Sequence, residues 1–98
     1  MKYSELSVDG KTYTDQKEIS KKLKSEGFTW LIDCEIENAK LEIRKNTLIW
    51  HSGDFLFGVW KWGIFKSGSF HGKWQGGIFE DGNIVEGTAW NGGINLVP

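Results

Sequence analysis

The sequence predicts a mainly β protein: a short β-helix of about three four-sided coils, with a small hairpin and helix capping it at the N-terminal side. Three observations carry this expectation. Glycine recurs at Gly53, Gly58, Gly63, Gly68, Gly72, Gly77, Gly82, Gly87 and Gly92, five apart seven times and four apart once. A large apolar residue follows most of them two places later, at Phe55, Trp60, Phe65, Phe70, Trp74, Phe79, Ile84 and Ile94. The first 33 residues obey neither rule and show instead strand alternation and one capped helical stretch. The chain of 98 residues is therefore read as one structural domain in two parts: 1–33, hairpin and capping helix, and 34–98, quintet-repeat solenoid.

In the N-terminal part, Ser4 to Tyr13 alternates around Asp9-Gly10, a dipeptide able to take positive φ, which predicts a hairpin. Thr14 or Asp15 can cap the following helix, Glu18 falls at capping-box spacing, and Ile19 and Leu23 lie four apart on one face. Gly27 ends that helix. Lys17, Lys21, Lys22 and Lys24 form a basic stripe, but Glu18 and Glu26 interleave with it, as on a solvated face.

A helix repeats every 3.6 residues and a strand every two, so a sustained period of five fits neither. Hairpins at each glycine would leave strands too short to pair. A coil whose every quintet is one short extended side plus a corner satisfies the pattern. Positions two apart then point the same way, so the glycine and the aromatic after it both face inward. Four sides per turn give coils of about 20 residues, stacked about 4.8 Å apart. The same phase extends backward as Leu48 with Trp50, Ala39 with Leu41 and Cys34 with Ile36, interrupted at Arg44-Lys45-Asn46.

The run Gly58-Val59-Trp60-Lys61-Trp62-Gly63-Ile64-Phe65-Lys66-Ser67-Gly68-Ser69-Phe70 resembles pentapeptide-repeat proteins, with Gly and Trp in place of the usual small and central residues. It is also similar to the aromatic-x-x-Gly-x quintets of tailed-phage proteins. The resemblance covers roughly the last 60 residues. It implies a right-handed quadrilateral β-helix and a phage accessory protein, placed in the host cytoplasm. A rival reading is a MORN-like antiparallel β-meander, because Phe70-His71-Gly72-Lys73-Trp74-Gln75-Gly76-Gly77 looks like the opening of a MORN repeat and Val85 to Gly92 echoes it.

Twelve basic and 13 acidic residues leave a formal charge of −1, which favours neither a broad nucleic-acid-binding face nor an acidic nucleic-acid mimic; double-stranded nucleic acid is a disfavoured partner. Cys34 is the single cysteine, so an internal disulfide and cysteine-paired zinc sites are excluded. The opening residues carry no secretory core and no apolar run approaches the length of a membrane helix, so a cytoplasmic protein without a membrane partner is expected.

No constellation for catalysis, cofactor or metal stands out, and none of the three is expected. His51 and His71 occupy different corner positions of the quintet, although Ser52, Asp54 and Cys34 could be grouped with them as nucleophile and base. Glu80-Asp81-Gly82-Asn83 lacks the alternating ligands of a calcium loop and reads as a corner. Cys34, at an inner small position, reads as a packed thiol.

The quintet frame turns Leu56, Phe57, Val59, Trp62 and Ile64 outward, sets Ile78 on the layer next to Val59, and leaves Trp90 outward as well. Such a patch needs a cover: the N-terminal helix and hairpin, a second copy in a homodimer, or a foreign protein. The expected function is thus a non-enzymatic protein–protein interaction module working through Leu56, Phe57, Val59, Trp62, Ile64, Ile78 and Trp90. The alternative is a carbohydrate- or nucleobase-binding protein that stacks a glycan or base on Trp62 and Trp90.

Overall fold

A computed structural model describes residues 1–97. The N-terminal hairpin forms where Asp9-Gly10 predicts it: β1 (Tyr3–Val8) pairs antiparallel with β2 (Lys11–Tyr13), with both turn residues at positive φ (48° and 91°). Helix α1 (Gln16–Ser25) is capped by Asp15, whose carboxylate accepts from the Glu18 amide at 3.0 Å, and buries Ile19 and Leu23. A single-turn helix α2 (Thr29–Ile32) follows.

Two long strands, β3 (Glu35–Arg44) and β4 (Thr47–Phe57), then form an antiparallel hairpin through Lys45 and Asn46, both at positive φ. Residues 34–46 therefore do not form coils, against the expectation from their quintet phase. Small-x-large spacing is also what plain strand alternation produces, so Ala39 with Leu41 fits either structure. β1 adds parallel to β3, pairing Leu6 with Leu41 and Val8 with Ile43.

From β4 onward the chain is a β-solenoid. Its rungs are β5 (Val59–Trp60), β6 (Ile64–Phe65), β7 (Ser69–Phe70), β8 (Lys73–Trp74), β9 (Ile78–Phe79), β10 (Asn83–Ile84), β11 (Ala89–Trp90) and β12 (Ile94–Asn95). Parallel pairing stacks Ile49, Ile64, Ile78 and Ile94 on one side, Asp54, Ser69 and Asn83 on a second, and Val59, Lys73 and Ala89 on a third. Each coil thus has three sides and spans 14 to 16 residues, against the four sides and about 20 residues expected from the sequence. The period of five fixes the length of a side and not the number of sides per turn. Three bulky columns already fill the cross-section.

Those columns are Trp50, Phe65 and Phe79; Phe55, Phe70 and Ile84; and Trp60, Trp74 and Trp90. Within a column the rings stack, as Trp60 on Trp74 at 5.2 Å and 8° and Phe65 on Phe79 at 4.9 Å and 9°. Between columns they meet edge to face, as Phe70 on Trp74 at 5.3 Å and 80°. The indole N–H groups of Trp50, Trp60 and Trp74 are buried without a hydrogen-bond partner. Glycine is required where coils touch. Gly68 sits at φ 112°, and a Cβ there would strike the carbonyl oxygen of Gly53 in the coil before.

Candidate interaction surfaces

The two ends of the column are built differently. At the N-terminal end, β3 runs along the first two sides, and its bend at Asn38 (φ 53°) follows the β4 corner at Gly53 so closely that a Cβ on Gly53 would lie 2.7 Å from the Asn38 carbonyl. The third side is closed by α2 and Cys34. Trp30 meets Trp60 edge to face at 5.3 Å, and the Cys34 thiol lies 3.2 Å from the Trp30 carbonyl and 3.6 Å from that of Val59. Burial pushes that thiol's pKa up, which makes Cys34 the packed residue its inner position suggested.

At the other end, β10, β11 and β12 each pair with one neighbour only among the described residues. Ile84 and Val85 are 36% exposed, Ile94 56% and Leu96 57%. Along β11 the amides of Ala89 and Asn91 donate back to the carbonyls of Gly72 and Trp74. Parallel strands alternate in bonding direction, so the N–H and C=O of Trp90 point away from the column. Ile84 and Asn95 repeat this, because Asn83, Val85, Ile94 and Leu96 are the residues that donate back.

The seven residues singled out from the sequence do not form one patch. Leu56 and Phe57 lie at the corner between the second and third sides, Phe57 at 67% exposure. Val59 faces out on the third side, where its stacked neighbour is Lys73 and not Ile78. Ile64 and Ile78 stack on each other on the first side, half-buried in a row of isoleucines. Trp62 is partly covered from the N-terminal part, its ring 4.9 Å from that of Phe28. Trp90 is not outward. It stacks on Trp74 at 4.9 Å and 4° and extends the third inner column.

The cause is local length variation. Two residues lie between β7 and β8, but four lie between β10 and β11, so Trp90 and not Ala89 reaches the inner position. Likewise Gly93, at φ 77°, takes the corner in place of Gly92, which turns Ile94 outward and puts Asn95 inside, beneath nothing and above Phe79. The signal available in the sequence was the recurrence of residue type at every third quintet: isoleucine at 49, 64, 78 and 94, and tryptophan at 60, 74 and 90.

Polar chemistry is sparse. Glu42 on β3 accepts from His51 at 2.8 Å and from Arg44 Nη2 and Nε at 2.7 and 2.9 Å. The His51 contact, with Arg44 beside it, lowers the Glu42 pKa. His71 stands on another side, its Nδ1 3.3 Å from the Leu56 carbonyl, where it can donate. No group of three His, Cys, Asp or Glu residues able to hold a metal occurs among the described residues. A shallow groove of about 350 Å³ lies beside Phe57, between Val59, His71, Lys73 and Gly87, where the four-residue step from Gly68 to Gly72 shortens the corner. Among the described residues no helix is long and apolar enough to cross a membrane. The chain matches no protein-family model, no curated protein and no solved structure.

Proposed function

We propose that this chain is a non-enzymatic protein–protein interaction module that works through the open end of its solenoid. One observation supports the reading above the rest: an aromatic column sealed at one end by β3, α2 and Cys34 presents at the other, among the described residues, three unpaired strand edges ringed by Ile84, Val85, Ile94 and Leu96. Unpaired strand edges are templates for further strands. The occupant is a protein that offers backbone donors and acceptors together with apolar side chains. Stacking of a glycan or nucleobase is the weaker reading, since Trp62 and Trp90 each commit one ring face to Phe28 or Trp74.

A photo-crosslinking amino acid at position 85, compared with one at the exposed position 37 on the capped side, tests the proposal in cells. Adducts formed from position 85 and not from 37 are expected, whichever chain they contain. Equal yields, or none from 85, overturn it.

A further inference from the structure

We propose that the occupant of the open end is a second copy of this chain, docked head to head about a two-fold axis that passes between the two β11 strands. This rests on the interaction-module reading and adds the identity of the partner.

Three features of the end favour a copy over a foreign surface. The first is its shape. Among the described residues β10, β11 and β12 are the last rungs on three different sides and climb as a ramp, with β10 lowest and β12 highest. A helical ramp is carried onto itself by a two-fold axis perpendicular to its own axis, so an inverted copy sets its raised β12 over the lowered β10 and its β11 antiparallel to β11. A single extended peptide can follow only one side of this triangle.

The second is hydrogen bonding. In an antiparallel pair, directly opposed residues that bond exchange both N–H···O=C contacts. Trp90 turns its N–H and C=O together toward the free side, and so do Ile84 and Asn95. The two-fold arrangement therefore sets Trp90 against Trp90 of the second copy on the axis, and Ile84 against its Asn95 off the axis. Every free edge finds an edge of matching polarity, and the tryptophan column Trp60, Trp74, Trp90 runs on into its own mirror in sequence.

The third is charge. Between Asn83 and Val97 the only charged side chain is Glu86, so two identical ends meet with little opposition between like charges. Asn95 accepts at its Oδ1 from the Val97 amide at 2.9 Å. It holds an inner position that carries an aromatic in the coils below, and there it opposes the exposed Ile84 of the copy.

Sedimentation velocity of the full chain from about 5 to about 500 µM tests this, with Asn95→Pro, Ile84→Lys and Phe57→Ala alongside. The Asn95 amide faces the free side, so proline removes the donor offered to the partner, together with the bond that the Asn95 Oδ1 accepts from the Val97 amide at 2.9 Å, and near-UV circular dichroism checks that the column is intact. The expected result is a shift from 11.2 kDa toward twice that mass. The midpoint rises at least about tenfold in Asn95→Pro or Ile84→Lys and stays put in Phe57→Ala. A wild-type chain that stays monomeric throughout overturns the second copy and leaves the interaction reading to the crosslinking result. A dimer that ignores both end variants, or that Phe57→Ala abolishes, overturns its location.

Discussion

The capped and open ends of the solenoid share the tryptophan column and differ in what lies against it, and the open coil carries Ile84 and Asn95 where the coils below carry aromatics. Below Trp60 the chain supplies an edge-on indole from Trp30, a buried thiol and a strand bent to the shape of the corner. On the third side the described residues stack no further rung on Trp90. The quintets dictate the column, and β3, α2 and Cys34, outside the regular run, finish one end of it. Rigid inner packing and available edges thus coexist in one small domain, which is the physical basis for reading it as a module that associates.

The sharpest way to break the comparison is to remove one ring from each end of the third column. Trp60→Ala empties a fully buried site touched by rings from all three columns and is expected to cost about 3–5 kcal/mol in chemical denaturation. Trp90→Ala, with the ring in contact on one face only, is expected to cost about 1–2 kcal/mol, and equal losses would mean that the last coil is as enclosed as the first. Next comes coil contact: Gly68→Ala is expected to lose about 3 kcal/mol or more because its Cβ meets the Gly53 backbone. Gly10→Ala, at φ 91° but in open space, should lose about 1–2 kcal/mol. Within the capping part, Asp15→Ala removes the α1 cap and should lower the melting midpoint by an amount equal to about 1 kcal/mol.

The smallest effect is expected from the surface cluster on β3 and β4. Because the Glu42 pKa is lowered in the folded chain, its stabilisation is full above the ordinary carboxylate range and disappears as pH falls through the lowered value. Glu42→Gln should therefore cost about 0.5 kcal/mol at neutral pH and nothing in acid below that value, as read from denaturation midpoints across pH.

Much of this architecture is legible in the sequence, and what is not has definite causes. Asp9-Gly10, Asp15 and the glycine period announce the first hairpin, the helix and the coil because each reflects a local torsional or capping demand. The number of sides is not local. It depends on how many rings fill a cross-section, and only the recurrence of residue type across whole coils encodes it. The β3–β4 hairpin hides because strand alternation imitates a quintet over one or two repeats. Trp90 and Ile94 are misplaced by a two-residue lengthening of one side and by the adjacent Gly92 and Gly93, which leave the corner ambiguous until the backbone chooses Gly93. The open end depends on pairing that reaches across coils, so none of Ile84, Val85, Ile94 or Leu96 stands out on composition.

Amide hydrogen exchange read residue by residue by NMR, at a concentration where the chain is monomeric, tests the contrast between the ends most directly. The account predicts that the amides of Ala89 and Asn91, which donate to Gly72 and Trp74, are protected, while those of Ile84, Trp90 and Asn95 between such donors exchange fast, and that Trp60 and Trp74 are protected throughout. Slow exchange at Trp90 in the monomer, or exchange at Ala89 and Asn91 as fast as at Trp90, would contradict it.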